Sequence, residues 1–210
     1  MNREKNRNII LIGMPGSGKS TLGVLLAKAL GRRFVDTDLL IQEREGRLLQ
    51  DIIDNDGIEK FLQIEEQVLL SVDVEHAVIA TGGSVVYSQA GMEALKRNGD
   101  VVYLAATYAE VEKRVTNITT RGIVLKHGCS LQDAFAERVP LYEQYSDYTV
   151  DGTGKSIEEC VEEIVGLFRR IPYIVRNEGR TPGEGFPSFR LRRKFTFVNQ
   201  QEPTHHACET

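Results

Sequence analysis

The 210-residue chain is poor in cysteine, which removes one large group of folds from consideration. Its three cysteines, Cys129, Cys160 and Cys208, are widely spaced and form no metal-ligand pattern. The spacing therefore predicts free thiols, as expected of a protein in a reducing cytosol.

Long apolar segments are missing as well. No stretch approaches the ~20 apolar residues that a membrane-spanning helix needs. The opening residues, MNREKNRN, are polar and contain no apolar segment of signal-peptide length. We therefore expect a cytoplasmic protein without a membrane partner.

The chain also lacks an excess of positive charge. Its 26 Lys and Arg residues against 30 Asp and Glu residues give a net charge of −4. This balance argues against nonspecific nucleic-acid binding, so no nucleic-acid partner is expected. The hydrophobic content of 41% suffices for a normal core, and the length suits one compact domain with an appendage.

The most informative feature that is present is a complete phosphate-binding loop. Residues 13–20 read GMPGSGKS, which matches G-x-x-x-x-G-K-[ST]. An apolar run at residues 8–12 precedes the loop and is typical of a buried parallel strand. Residues 19–30 follow it with helical composition and end at Gly31. This strand–loop–helix context predicts a site for a nucleoside triphosphate.

The loop offers both backbone and side-chain groups to the nucleotide. Its glycines let N–H groups surround phosphate oxygens, and the helix N-terminus adds positive potential. Lys19 reaches the β- and γ-phosphates, and the Ser20 hydroxyl is a ligand for Mg²⁺, so ATP and Mg²⁺ are expected. The nucleotide-binding residues predicted in the loop are Gly13, Gly16, Ser17, Gly18, Lys19, Ser20 and Thr21.

Two carboxylates follow the next strand candidate, residues 33–36. Strand alternation would place Asp36 and Asp38 on one face, at the carboxyl edge where open α/β sheets bind ligands. One carboxylate there would serve Mg²⁺, and the other would accept the proton of an attacking hydroxyl. The competing interpretation is a helix N-cap, which fits Asp38 because a helix is expected to follow it.

Two further features offer contacts for a phosphate acceptor. Gly82 and Gly83 follow the apolar strand candidate 77–80, and their N–H groups can hold hydroxyls or a carboxylate. The alternative interpretation is a tight turn. Arg138, in the sequence RVPLY, can grip a carboxylate as a bidentate fork. The alternative interpretation of Arg138 is a surface arginine beside a helix break at Pro140.

A basic stretch between Lys113 and His127 has the composition of a lid. It carries Arg114 and Arg121, and we expect it to be irregular. A lid with arginines above a phosphate loop excludes water and neutralises the transferring charge. The alternative is a solvated loop.

The remaining patterns predict an α/β fold. Strand candidates alternate with helical stretches such as 38–54, 57–75 and 156–169, which predicts a parallel sheet covered on both faces. Capping boxes mark three helix starts, at Thr107, Ser130 and Ser156. From residue 172 the pattern becomes irregular, and a solvated tail is favoured over a partner-binding segment.

Five features of the chain resemble the shikimate kinase family in order and spacing, over residues 8–170. They are the phosphate loop, the Asp36–Asp38 pair, the glycine run at 82–83, the lid arginine and the sequence RVPLY. The resemblance implies a P-loop kinase fold: a five-stranded parallel sheet flanked by helices, with a lid and a small substrate-binding subdomain. The expected divisions are a kinase domain at 1–171, a lid at 113–128, a substrate-binding region at 36–66 and an irregular tail at 172–210.

The resemblance also implies an activity. It is ATP-dependent phosphoryl transfer to a hydroxyl of a small hydroxy acid, converting shikimate to shikimate 3-phosphate in aromatic amino-acid biosynthesis, by a monomer. The implied catalytic residues are Lys19, Asp38 and Arg121. The implied binding residues are Arg114 for the nucleotide, Ser20 and Asp36 for Mg²⁺, and Asp38, Gly82, Gly83 and Arg138 for the acceptor.

Three positions depart from the family pattern. Leu62 stands where the family has an arginine that binds the shikimate carboxylate, Ser84 replaces a third glycine, and Gly122 replaces the lid proline. The missing arginine removes a charge-assisted contact of about 1.5–3 kcal/mol. Glu65, one helical turn later, would lose its arginine neighbour and could attract a substrate ammonium.

These departures leave three readings open. Shikimate remains the substrate if Lys60 or another nearby residue supplies the missing charge. A freed Glu65 would instead favour an amino-hydroxy acid such as homoserine. The third reading is a non-catalytic ATP-binding regulator that engages a partner through its tail, although such a protein needs neither Asp38 nor Arg138.

Overall fold

The structure, a computed structural model, describes residues 7–116, 124–125 and 129–169. Its strands are β1 (Asn8–Ile12), β2 (Arg33–Asp36), β3 (Ala77–Ala80), β4 (Gly99–Ala105) and β5 (Tyr148–Asp151). Its α-helices are α1 (Lys19–Leu30), α2 (Thr37–Glu45), α3 (Leu49–Asp56), α4 (Ile58–Ser71), α5 (Gln89–Arg97), α6 (Tyr108–Thr116), α7 (Leu131–Tyr145) and α8 (Ile157–Phe168). A short 3₁₀ helix, Val85–Tyr87, follows β3.

The strands form one parallel sheet in the order β2-β3-β1-β4-β5. The central strand β1 pairs with β3 through Ile9 and Val78, and with β4 through Asn8 and Gly99. Every residue of β1 is buried, because helices cover both faces of the sheet. The predicted fold class is therefore confirmed.

The core is divided by the alternation of side chains along the strands. Ile10 and Ile12 of β1 face one apolar cluster, which includes residues of α5 and α7. Ile9 and Leu11 face the other, which contains residues of α1 and α8. A third cluster joins α2, α3 and α4 around Ile41, Ile52, Phe61, Ile64 and Val68. This third cluster supports the elements that carry the acceptor-side residues.

Several predicted boundaries need correction. The expected helix 38–54 is two helices, because α2 ends at Gly46, which adopts a left-handed conformation with φ 65°. The expected helix 57–75 ends at Ser71. Pro140 causes no break: α7 continues through it, since Ala134 and Tyr142 on either side are anchored in the core.

The capping predictions agree with the structure. Ser130 and Ser156 each form a complete capping box, and Thr107 exchanges hydrogen bonds with Glu110. Neither Cys129 nor Cys160 forms a disulfide within the part of the chain that the structure describes. None of the helices in the described part of the chain combines the length and apolar character needed to cross a membrane.

The predicted lid is only partly described. Its first residues, from Lys113 to Thr116, are not irregular as expected but form the end of α6. Arg121, Gly122 and most of the remaining lid lie outside the described residues, as do the tail 172–210 and Cys208.

Candidate active site

The sheet order places three of the predicted segments side by side. The phosphate loop follows β1, the glycine run follows β3, and Asp36 ends β2, so these segments share one carboxyl edge of the parallel sheet. A cleft at this edge is lined by Lys19, Ser20, Asp38, Gly82, Gly83 and Arg138. Residues predicted from separate motifs therefore meet in one place.

A wider and more open hollow lies at the opposite edge of the sheet. It is lined by Gly31, Arg32, Arg33, Glu75 and His76. The Arg32 guanidinium is already engaged there, donating to the Arg7 carbonyl at 2.6 Å. Ligands of open α/β sheets bind at the carboxyl ends of the strands, so the narrower cleft is the candidate active site.

The phosphate loop presents main-chain donors to the cleft. Gly18 adopts φ 96°, and α1 begins directly after it without a side-chain cap. The first N–H groups of a helix have no carbonyl partner within the helix, so they can bind an anion. Arg114 of α6 packs against the same loop: its Nη1 donates to the Gly16 carbonyl at 3.4 Å.

The Lys19 side chain is buried within the loop, with 7% of its surface exposed. Its Nζ donates to the carbonyl oxygens of Gly13 and Met14, both at 2.9 Å, and to Ser17 Oγ at 3.4 Å. The loop thus holds the ammonium where phosphate oxygens would approach the glycine backbone.

The helix cap is formed by the first of the two predicted carboxylates, not by the second. Asp36 is the N-cap of α2, since its Oδ1 accepts a hydrogen bond from the Asp38 N–H at 3.0 Å. The chain enters the helix at Thr37, so strand alternation does not extend to Asp38, and the expectation that Asp38 is the cap is wrong. Asp38 lies in the first helical turn and lines the cleft, whereas Asp36 does not line it.

Gly82 lies against two carboxyl groups. A Cβ on this residue would lie 2.5 Å from Glu65 Oε1 and 2.9 Å from Asp38 Oδ1, so only glycine leaves both carboxyl groups in place. A Cβ on Gly83 would lie 2.7 Å from Cδ of Pro15, so the run also packs against the phosphate loop. The glycine run is therefore more than a tight turn: it packs against the phosphate loop on one side and against the carboxyl groups of Glu65 and Asp38 on the other.

Glu65 is buried beneath the cleft, with 1% of its surface exposed, and its Oε1 accepts a hydrogen bond from Ser84 Oγ at 3.0 Å. The pKa of Glu65 is raised to about 8: burial and the Asp38 carboxylate raise it, while the Ser84 hydrogen bond and Arg138 lower it in part. Most molecules therefore carry a neutral Glu65 at pH 7. The expectation that Leu62 leaves this carboxyl group without a neighbour is wrong, because Ser84 is its partner.

Arg138 is buried, with 2% of its surface exposed, so the interpretation as a surface arginine is wrong. Its Nε donates to the Tyr87 hydroxyl at 3.1 Å, its Nη2 donates to the Val124 carbonyl, and its Cζ lies 5.1 Å from the centre of the Tyr87 ring. Tyr87 in turn donates to Glu137 at 3.0 Å. These contacts fix the guanidinium in the wall of the cleft.

Two tyrosines escaped the sequence-based prediction. Tyr87 orients Arg138, and the Tyr142 hydroxyl donates to the Gly83 carbonyl at 2.5 Å. Burial raises the pKa of Tyr142 well above its usual value. Only the aromatic position in the sequence RVPLY, four residues after Arg138, could have indicated a role for Tyr142; no comparable signal marks Tyr87.

The position of the missing arginine carries no substitute charge in the described structure. Leu62 is partly buried and packs against the cluster of α2, α3 and α4, while Lys60 is exposed. Among the described residues that line the cleft, the cations are Lys19 and Arg138.

The sheet order and the phosphate loop define a P-loop kinase fold, and comparisons with known proteins narrow the class. The family model described as shikimate kinase matches residues 15–168. The shikimate kinase of Bacillus cytotoxicus is 37% identical over 160 residues, covering 76% of this chain and 96% of the relative. That of Geobacter metallireducens is 39% identical over 163 residues, covering 76% and 90%.

Solved structures agree with these matches. The shikimate kinase from Acinetobacter baumannii in complex with shikimate superimposes with a TM-score of 0.70 at 31% identity, covering 78% of this chain and 93% of that chain. The shikimate kinase from Aquifex aeolicus gives a TM-score of 0.64 at 30% identity, covering 75% and 94%. The chain belongs to the shikimate kinase family, and it is an ATP-dependent small-molecule kinase.

Proposed function

We propose that the chain transfers the terminal phosphoryl group of ATP to a hydroxyl of shikimate, giving ADP and shikimate 3-phosphate. One observation carries this proposal: Lys19, Asp38 and Arg138 line the same cleft. They supply a cation for phosphate, a carboxylate for the reacting hydroxyl and a cation for the acceptor's own carboxylate. The family relatives named above support shikimate as the acceptor.

On the nucleotide side, the chain acts through its backbone and Lys19. The N–H groups at the start of α1 hold phosphate oxygens, and Lys19 exchanges its carbonyl contacts for the β- and γ-phosphates. Ser20 offers a hydroxyl oxygen in the cleft, and Asp36, at the end of β2 on the same edge, offers the carboxylate oxygen that does not cap α2. Such oxygen ligands suit Mg²⁺, which binds through few protein ligands together with phosphates. Magnesium held there would neutralise charge on the transferring group.

On the acceptor side, Asp38 takes the proton of the attacking hydroxyl. Arg138 holds the acceptor carboxylate in an orientation set by Tyr87 and Val124. The N–H group of Gly83 binds the acceptor's polar groups, and the N–H group of Gly82 does so on leaving the Thr37 hydroxyl, to which it donates at 3.3 Å. The reaction is then an in-line transfer that depends on positioning and electrostatic stabilisation.

The remaining assignments extend this proposal. Arg114 borders the adenine side of the nucleotide, and Arg121 of the lid stabilises charge on the transferred group. The kinase unit is 1–171, with the lid at 113–128, the substrate-binding region at 36–66 and the tail at 172–210. The enzyme acts as a cytoplasmic monomer.

The two other readings are weaker. Glu65 lies buried beneath Gly82, accepts a hydrogen bond from Ser84 and is mostly neutral at pH 7, so it is a poor partner for the ammonium of an amino-hydroxy acid such as homoserine. A non-catalytic regulator would need neither Asp38 nor the buried Arg138.

A coupled ADP-release assay with Mg-ATP tests the proposal. We expect shikimate to stimulate ADP release far above the ATPase background and homoserine to leave it unchanged. Stimulation by homoserine alone would show that Leu62 marks a change of substrate on the same catalytic frame. No stimulation by either acid would favour the regulator.

A substitution at Asp38 tests the assignment of the base. Asp38→Asn should lower kcat by about 10²–10⁴-fold, because the hydroxyl loses its proton acceptor, while the affinity for ATP stays unchanged. The matched control is Asp73→Asn, which changes an exposed carboxylate in the loop after α4. Normal turnover in Asp38→Asn would contradict the assignment.

A further inference from the structure

Two serine–glutamate hydrogen bonds join α4 to the segment that follows β3. Ser84 Oγ donates to Glu65 Oε1 at 3.0 Å, and Ser88 Oγ donates to Glu66 Oε2 at 2.6 Å. The two glutamates are adjacent in sequence but differ in position. Glu65 is buried against Gly82. Glu66 is partly exposed, and neither of the two hydrogen bonds joins it to a residue of the cleft. The two serine–glutamate pairs are therefore chemically similar, but only the Glu65 pair lies against a residue that is proposed to contact the acceptor.

Glu65 reaches the acceptor site through Gly82. The position of a Cβ on Gly82 lies within 3 Å of both Glu65 Oε1 and Asp38 Oδ1, so this glycine separates the two carboxyl groups. A displacement of Glu65 toward Gly82 would therefore press on the Gly82 backbone or on Asp38. Both are groups to which the proposed reaction assigns contact with the acceptor.

Both departures from the family pattern on this side of the cleft bear on the same carboxyl group. Leu62 lies one helical turn before Glu65, where residues three apart on a helix are neighbours. Ser84, in place of the third glycine, supplies the hydroxyl that binds Glu65. A glycine has no side chain with which to make this bond.

We propose that Glu65 and Ser84 form a positioning pair that sets the affinity for the acceptor. This inference rests on the proposed function. The pair holds the Gly82 backbone and Asp38 in place. Burial keeps most of Glu65 uncharged at pH 7 in spite of the Ser84 hydrogen bond, so that no second negative charge faces an anionic acceptor.

The surroundings of Glu65 explain why its charge would matter. The charged groups that act on it are Asp38 from α2 and Arg138 from α7. On the other helices packed against α4, the acidic residues of α3 are exposed, as are Glu93 and Arg97 of α5, and Lys96 pairs with Asp147. An ionised Glu65 would therefore add charge beside Asp38 and compete for Arg138, and both effects weaken the binding of an acid.

The test compares the KM for shikimate, kcat and the pH profile in variants of the full chain. In the unmodified protein we expect this KM to rise above about pH 8, where Glu65 ionises, and we expect Glu65→Gln to remove that rise. Ser84→Ala should raise the KM at pH 7 by about 2–10-fold, with a smaller change in kcat, because one hydrogen bond is lost. It should also move the alkaline rise to higher pH, since the Ser84 bond lowers the pKa of Glu65.

Two further variants make the result specific. Ser84→Gly installs the residue of the family pattern and should reproduce the effect of Ser84→Ala. Glu66→Gln removes the carboxylate of the second pair and should leave KM and kcat unchanged at every pH. Thermal unfolding confirms that each variant is folded.

The outcomes separate the inference from the proposed function. If the unmodified protein phosphorylates shikimate but Glu65→Gln keeps the same pH profile, or both Ser84 variants keep the original KM, the pair has no positioning role. If the unmodified protein neither binds shikimate in calorimetry nor phosphorylates it, the proposed function is wrong and this inference falls with it.

Discussion

The phosphate loop, residues 13–20, and the acceptor wall, which comprises Gly82–Ser84, Glu65 and Arg138, face each other across one cleft but are held differently. The loop is continuous in sequence, and its glycine backbone provides most of its binding groups. The acceptor wall comes from three separate elements whose side chains hold one another. We therefore expect the loss of a loop side chain to cost more activity than the loss of one wall contact, since the wall side chains also hold one another.

The largest expected effect lies in the loop. Lys19→Ala should lower kcat/KM by about 10³-fold or more, because no other described cation lies within the loop to neutralise the transferring phosphoryl group. Steady-state kinetics with shikimate and ATP measures this loss. Lys28→Ala, on the exposed side of the same helix, is the control and should retain full activity. If Lys19→Ala kept its activity, the phosphate loop would be no more sensitive to the loss of a side chain than the acceptor wall.

An intermediate effect is expected where the two halves meet. Gly82→Ala should lower kcat/KM by up to about 100-fold, because its Cβ would push aside the ends of Glu65 and Asp38 rather than fixed backbone. The chain should still fold for the same reason. Gly166→Ala in α8 is the matched control: its Cβ meets no atom within 4 Å, so we expect full activity and a gain of about 0.4–1 kcal/mol in unfolding free energy. Equal behaviour of the two variants would contradict the close packing at Gly82.

The smallest effect concerns stability and isolates Glu65. Its pKa is raised from 4.5 to about 8 in the folded protein, so between these values the native state holds a proton that the unfolded chain has released. The free energy of unfolding therefore falls as pH rises through this window and levels off above it. Relative to Glu65→Gln, the original chain should lose at least about 1 kcal/mol between pH 5 and 8. Urea denaturation at several pH values measures this, and parallel curves for the two proteins would show that Glu65 ionises normally.

The parts of the molecule that sequence reasoning predicted correctly are those with local causes. β1 and β3 agree with their apolar runs to the residue, and the capping boxes of α7 and α8 depend on residues three apart. The break after α2 also has a local signal in Gly46. The cap of α2 is Asp36 and not Asp38, because the helix begins at Thr37, and the apolar pattern of the sequence does not show at which residue the chain turns.

The contacts that were not predicted join distant positions. Ser84 and Glu65 are 19 residues apart, and Arg138 and Tyr87 are 51 apart. Neither pair has a fixed spacing within one helix or strand, so only the packing of α4, α7 and the segment after β3 brings the partners together. The phosphate loop could be recognised as a motif for the opposite reason, since its geometry is contained in eight consecutive residues.

The strand order also has a consequence for the way the chain folds. Thr81 donates to the Leu11 carbonyl across 70 positions, so the phosphate loop and the glycine run become neighbours only after the whole segment between them has been enclosed. Closing such a long loop costs entropy before any contact repays it, and folds rich in distant pairings form slowly. A nascent chain that ends before β3 carries the phosphate loop, Asp38 and Glu65, but it lacks the glycine run and Arg138. The cleft is therefore complete only after β3 has paired with β1 and α7 has brought Arg138 to the same edge.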